Sequence, residues 1–169
     1  GRLSLRRDIH DPAKLVEGAV ERIQPLARSD NVSIEVIARP DAPPVDVDAD
    51  LVVRVLVNLL DNALKFAPKG SVVRLEVVPV EENGRVHLVR FTVHDQGPGV
   101  PLEERTRIFE KFSQVKGYQG RRRGSGLGLT FCKLVVEAHG GAIWAEEPPD
   151  GGSRFVFTLP VADRISLSR

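Results

Sequence analysis

The sequence predicts an α+β chain: a two-layer α/β sandwich whose mixed, largely antiparallel sheet of about five strands is covered on one face by about three helices. Three observations point there. Stretches with apolar residues at three- and four-residue spacing are interspersed with stretches of strict alternation, but without the regular strand–helix order of a doubly wound parallel sheet. Two alternating runs, 72–80 and 85–94, flank Glu82-Asn83-Gly84, whose Asn-Gly pair suits the positive backbone angles of a tight hairpin. Finally, 169 residues at 41% hydrophobic composition suffice for one core and are too few for two ordinary domains, so a single domain over 1–169 is expected.

Taken in order, Leu15, Val16, Ala19, Val20, Ile23 and Leu26 recur on one face of a helix over 11–27, with Pro12 placed to suit its first turn. Val32, Ile34 and Val36 alternate as a short strand, and Pro40, Pro43 and Pro44 then impose an extended connection. Asp48 or Asp50 caps a helix over 51–66, a stretch without Gly or Pro that stops at Ala67-Pro68-Lys69-Gly70. The hairpin strands follow. Residues 96–125, rich in Gly, Arg, Lys, Gln and Pro, read as mobile loop apart from a short helical pattern over 102–112. A helix over 126–138 ends at the glycine stop His139-Gly140-Gly141. Strands over 142–146 and 153–159, parted by Pro148-Pro149-Asp150-Gly151-Gly152, complete a core of 11–160, and 161–169 is left as a flexible tail.

A net charge of +1 gives no global field to recruit nucleic acid or an anionic membrane, so partners must be recognised locally. The single cysteine, Cys132, supports neither a disulfide framework nor a thiolate metal site, which fits a reducing, cytoplasmic compartment whether or not a parent protein is membrane-anchored. No apolar run is long enough for a membrane span, and 1–10 lacks the apolar stretch of a signal peptide. The absence of an initiator Met suggests a piece of a longer chain.

Three groups of residues carry chemistry. On the helix over 51–66, Arg54, Asn58, Asn62 and Lys65 fall on one face, at offsets of four, four and three. A solvated outer face would give such a stripe too, but amide carbonyl oxygens can also ligate a hard cation, and a lysine beside them suits phosphate. Asp95 continues the parity of Val89, Phe91 and Val93, which aims its carboxylate toward the core; it opens Asp95-Gln96-Gly97-Pro98-Gly99. A plain strand-ending turn would look similar. A buried carboxylate, however, needs donors, an adenine amine is one, and Gly97 and Gly99 would let backbone approach a flat base. The third group, Gly124-Ser125-Gly126-Leu127-Gly128-Leu129, opens a helix and leaves N–H groups uncovered at its positive end, where phosphate oxygens bind. It has neither the Gly-Lys-Ser/Thr of a Walker loop nor the spacing of a dinucleotide fold.

In this order and spacing the three groups resemble the asparagine box and the two glycine boxes of sensor histidine kinase catalytic domains, and Ile108-Phe109-Glu110-Lys111-Phe112 resembles their phenylalanine box. The resemblance runs from about Pro12 to Pro160 and implies the Bergerat fold shared with gyrase-type ATPases, Hsp90 and MutL. It further implies ATP and Mg²⁺ as ligands. Asn62, supported by Asn58, would hold the metal, and both count as catalytic positions; Lys65 would contact phosphate and Phe66 would pack on adenine. Asp95 would accept from the adenine amine, with Gly97 and Gly99 shaping the base pocket. Gly124, Gly126, Leu127, Gly128 and Leu129 would close over the phosphates, and 100–123 would be an ATP lid in which Lys116 and Arg121 to Arg123 are either solvated or in reach of phosphate.

Gyrase-type relatives carry a glutamate at the position of Asn58, and an amide cannot serve as general base for hydrolysis. The expectation is therefore a protein histidine kinase domain that delivers the γ-phosphoryl to a histidine on a separate dimerisation helix, with positioning and Mg²⁺ supplying most of the catalysis. No histidine here fits that acceptor: His10 reads as surface, His87 and His94 as strand residues, and His139 as a cation suited to a helix end. The dimerisation and phosphotransfer domain would then be absent, this chain monomeric and inactive alone, and a longer homodimeric protein would pass phosphate to a response regulator receiver domain. The alternative is a non-catalytic nucleotide-binding module that docks a partner protein.

Overall fold

The computed structural model describes residues 3–110 and 127–163. The chain runs β1 (Asp8–His10), α1 (Pro12–Ser29), β2 (Ser33–Ala38), β3 (Val45–Val47), α2 (Ala49–Phe66), β4 (Val72–Glu82), β5 (Arg85–Asp95), two single-turn 3-10 helices (Leu102–Glu104 and Arg107–Phe109), α3 (Gly128–Ala138), β6 (Ile143–Glu146) and β7 (Ser153–Pro160). Five strands form one mixed sheet in the order β2-β4-β5-β7-β6, parallel only at β2–β4, with the helices on one face. This is the predicted two-layer sandwich.

Local chemistry sets the elements. Asp11 caps α1 by accepting from the Ala13 N–H at 3.0 Å, directly before Pro12. The choice between Asp48 and Asp50 falls to Asp48, whose side chain accepts from the Leu51 N–H at 3.2 Å. α2 buries Val52, Val55, Leu56, Leu59, Leu60, Ala63 and Leu64 on one stripe against the sheet. At the hairpin Asn83 and Gly84 both take positive φ, 54° and 76°, which matches the right-handed twist of β4 and β5. Inside the sheet Phe91 and Phe157 face each other across β5 and β7 and stack at 4.7 Å.

Several local expectations are corrected. β1 and β3 pair antiparallel as a separate two-stranded sheet, where the sequence suggested only surface around His10 and an extended connection after Pro44. Strands of three residues carry too little alternation to be read. Order also extends past 11–160 at both ends: Leu3 packs on the core, and the Val161 and Ala162 N–H groups donate to the carbonyls of His87 and Pro44 at 2.9 Å each. In place of one helical pattern over 102–112 stand two 3-10 turns, anchored by buried Ile108 and Phe109. Lys111, Phe112, Lys116, Arg121 to Arg123, Gly124, Ser125 and Gly126, with the rest of the expected lid beyond 110, lie outside the described residues, as does 164–169.

Candidate functional site

α2 organises the site, because its middle meets the first residue of α3 and its C-terminal end meets the turn after β5. Asn58 and Asn62 are half-buried on its polar face. Gly128, the first residue of α3, packs on Asn58 so closely that a Cβ on Gly128 would lie 3.3 Å from Asn58 Oδ1. Among the described residues no side chain caps α3, whose N-cap position is Leu127, and the positive end of its dipole lies beside Asn58. Leu127 itself is exposed, and Leu129 is half-buried against the core. Arg54 does not join this group: its guanidinium lies 4.5 Å over the Phe131 ring, which binds α3 to α2.

At the C-terminal end of α2, Asp95 closes β5 with 1% of its surface exposed, as the strand parity predicts. The Gly97 N–H donates to Asp95 Oδ1 at 2.7 Å. Burial pushes the carboxyl pKa up to about 6, and the Gly97 hydrogen bond only partly offsets that. A Cβ on Gly97 would lie 2.7 Å from Asp95 Oδ1 and 2.9 Å from the Phe66 carbonyl oxygen, so the turn fits between carboxylate and helix end only as glycine. Phe66 ends α2 here, and the Lys65 ammonium stands 5.4 Å from its ring.

One contributor escaped the sequence reading. Gly152, at φ 86°, stands where a Cβ would come 2.1 Å from the Asp95 carbonyl oxygen, and its own carbonyl oxygen faces Gly99 at 3.0 Å from that residue's Cβ position. The turn before β7 thus backs the Asp95–Gly99 turn. The only sequence signal was Gly151-Gly152, which read as an ordinary loop.

From Asn58 to Phe66 the helix rises about 12 Å, comparable to the span of an extended nucleotide from base to outer phosphates. The Asp95 end offers a buried acceptor between backbone walls, and the Asn58 end offers amides and helix-terminal donors. The phenylalanine segment borders the second end. Phe109 packs edge-on against Phe155 at 6.3 Å, and the Thr130 hydroxyl donates to the Phe109 carbonyl at 3.0 Å. Arg105 fastens the start of this segment by donating to the Val100 carbonyl at 3.1 Å and to Glu147 at 3.0 Å. Cys132 is remote in character: it is buried, its thiol pKa is driven upward by burial, and its Sγ contacts the Val55 carbonyl at 3.6 Å.

The histidine at the end of α3 differs from expectation. His139 is 4% exposed, its Nε2 accepts from the Asp48 N–H at 3.0 Å, and its Nδ1 lies 2.8 Å from the Val135 carbonyl. A backbone N–H can only donate and a carbonyl can only accept, so Nδ1 carries the sole ring proton. Burial lowers its pKa, and the ring is neutral rather than the cation that the helix end suggested.

Comparison with known proteins agrees with this geometry. Residues 47–163 match the histidine kinase-, DNA gyrase B- and HSP90-like ATPase family. The chain is 40% identical over 121 residues to the adaptive-response sensory kinase SasA of Microcystis aeruginosa, a match covering 72% of this chain and 30% of that relative. Its structure superposes on the mycobacterial sensor histidine kinase MprB with a TM-score of 0.77 at 31% identity, covering 91% of this chain and 97% of that one. Full-length ShkA, solved in complex with AMPPNP, gives a TM-score of 0.80 at 30% identity over 96% of this chain and 32% of its own. The chain belongs to the histidine kinase-, DNA gyrase B- and HSP90-like ATPase family, and within it to the catalytic domains of sensor histidine kinases. It spans about a third of the length of SasA or full-length ShkA. Among the described residues, no helix is long and apolar enough to cross a membrane.

Proposed function

We propose that this chain binds Mg·ATP along α2, with adenine at Asp95 and phosphates at Asn58, Asn62 and Lys65, for transfer of the γ-phosphoryl to a histidine on a dimerisation helix of a longer protein. The observation that carries the reading is Asp95: a carboxylate buried at the end of a strand, accepting one backbone N–H, beside a turn that only glycine permits. The free energy of burying that group is recovered when a donor such as the adenine amine meets it. Gly97 and Gly99 shape the base pocket, with Phe66 against the base.

The donor set at the other end fits magnesium, which keeps much of its water and takes few protein ligands beside substrate phosphates. Asn62 would hold it through its side-chain carbonyl with Asn58 in support; when bound it would neutralise charge on the phosphates. Lys65 would contact a phosphate oxygen, while Gly124, Gly126, Leu127, Gly128 and Leu129 would enclose the chain of phosphates. The segment 100–123 would serve as the lid of a single domain. Asn58 has no proton-abstracting capacity, so the site orients the nucleotide without activating water, which favours transfer over hydrolysis. In the longer protein the partners would be its own phosphotransfer helices, as a homodimer, and a response regulator receiver domain, in a cytoplasmic setting.

Calorimetric titration with a non-hydrolysable ATP analogue tests this. Binding is expected to be lost in Asp95→Asn and to lose its Mg²⁺ dependence in Asn62→Ala. Absence of binding by folded wild type would refute the assignment. If nucleotide binds but no phosphate reaches the histidine of added dimerisation helices, the chain is a nucleotide-binding module instead.

A further inference from the structure

α2 and α3 run antiparallel, and four contacts mark their register. From the phosphate end outward these are Gly128 on Asn58, Phe131 under Arg54, Cys132 at the Val55 carbonyl, and His139 at the Asp48 N–H. The last is a directional hydrogen bond of a buried, neutral ring, whereas apolar packing between the helices is non-directional. Other groups converge on the same point. The Arg6 N–H donates to Asp48 Oδ2 at 3.0 Å, and Arg7 Nη2 donates to the Ala138 carbonyl, in the last turn of α3, at 3.3 Å. Arg7, Asp48 and Asp46 are the charged groups that act on the ring. The segment before β1, the start of α2 and the end of α3 therefore share one junction.

We propose that His139 is a positioning residue for the nucleotide site: through Asp48 it fixes how far α3 lies along α2, and hence where Gly128 stands against Asn58. Arg6 and Arg7 make that register depend on the segment before β1. A slip of one residue moves α3 by about 1.5 Å, enough to carry its first N–H groups away from, or into, the Asn58 side chain. The nucleotide consequence rests on the proposed function; the register itself does not.

The test compares His139→Ala, His139→Gln and Arg7→Ala with Ile34→Ala, a core control on the far edge of the sheet, all in the full chain. Amide NMR would follow Gly128 and the Asn58 side chain, and titration would follow the ATP analogue. His139→Ala should shift both resonances and weaken nucleotide binding about tenfold, as expected for small displacements and coupling of this kind. Gln, which can place an acceptor near the lost Nε2, should recover most of both effects, and Arg7→Ala should shift the same resonances less. Ile34→Ala should lower the melting temperature without moving them. Unmoved Gly128 and Asn58 signals in His139→Ala, or in Arg7→Ala should the first not fold, would overturn the proposal. Wild type that binds no nucleotide would overturn the proposed function instead, and the resonances would still decide the register.

Discussion

At Asp95 one buried carboxylate carries much of the proposed site. Burial raises its pKa to about 6, so the free protein near neutrality holds a mostly ionised group under desolvation strain. A nucleotide amine that donates to it favours the ionised form and must pull the pKa down. The expected outcome is that the Asp95 carboxyl carbon, followed by NMR, titrates near 6 in the free protein and clearly lower in the nucleotide-bound one. Equal titration in the two states would place the adenine elsewhere. The strand parity of Val89, Phe91 and Val93 was enough to foresee the burial of Asp95. It could not foresee Gly152, because that residue meets Asp95 across a large sequence separation, as the His94 ring beside it meets the Gly151 carbonyl, and such a contact has no local pattern.

At the scale of elements, the long ones follow sequence rules closely. α2 is continuous from its Asp48 cap to Phe66, and β4 and β5 turn on Asn83-Gly84 with both residues at positive φ. The turn is open on the side where a new Cβ would point, so Gly84→Ala meets no clash and only the backbone penalty remains. That variant should lose about 1 kcal/mol of stability by denaturant melting while keeping its nucleotide affinity, since the turn lies at the far end of the hairpin from Asp95. A loss of affinity would show that the hairpin tip communicates with the site. The short elements behave differently. β1, β3 and the 3-10 turns exist because tertiary neighbours complete them, as Val45 does by bridging Val161 and Phe109 by packing on Phe155.

Across the whole molecule, two buried groups titrate in opposite senses. Asp95 has a folded pKa raised above 3.8, so between 3.8 and about 6 the folded state binds more protons than the unfolded state, and stability falls as pH rises through that window. The loss above it approaches about 3 kcal/mol at 1.36 kcal/mol per unit. His139 has a folded pKa below 6.5, so just under 6.5 the unfolded state binds more protons, and stability falls as pH drops. Asp95→Asn, which keeps the acceptor for Gly97, should therefore melt above wild type at pH 7.5 and lose that advantage below pH 4. His139→Gln should flatten the loss on the acid side of 6.5. Thermal unfolding across pH 3 to 8 checks both, and an Asp95→Asn variant less stable than wild type at pH 7.5 would contradict the assigned strain.

The sequence by itself determined the layer architecture, the long helices and hairpin, the burial of Asp95 at the end of its strand and the face of α2 that Asn58 and Asn62 share. Each of these rests on periodicity or turn chemistry acting over a few residues, which a linear reading captures. Tertiary structure alone decided that Arg54 packs on Phe131 instead of joining the polar group, that Gly152 backs Asp95, and that His139 is a neutral acceptor for Asp48. Those outcomes depend on which distant atoms fill the space beside a side chain and how far they exclude water, and burial of this kind sets both packing and protonation.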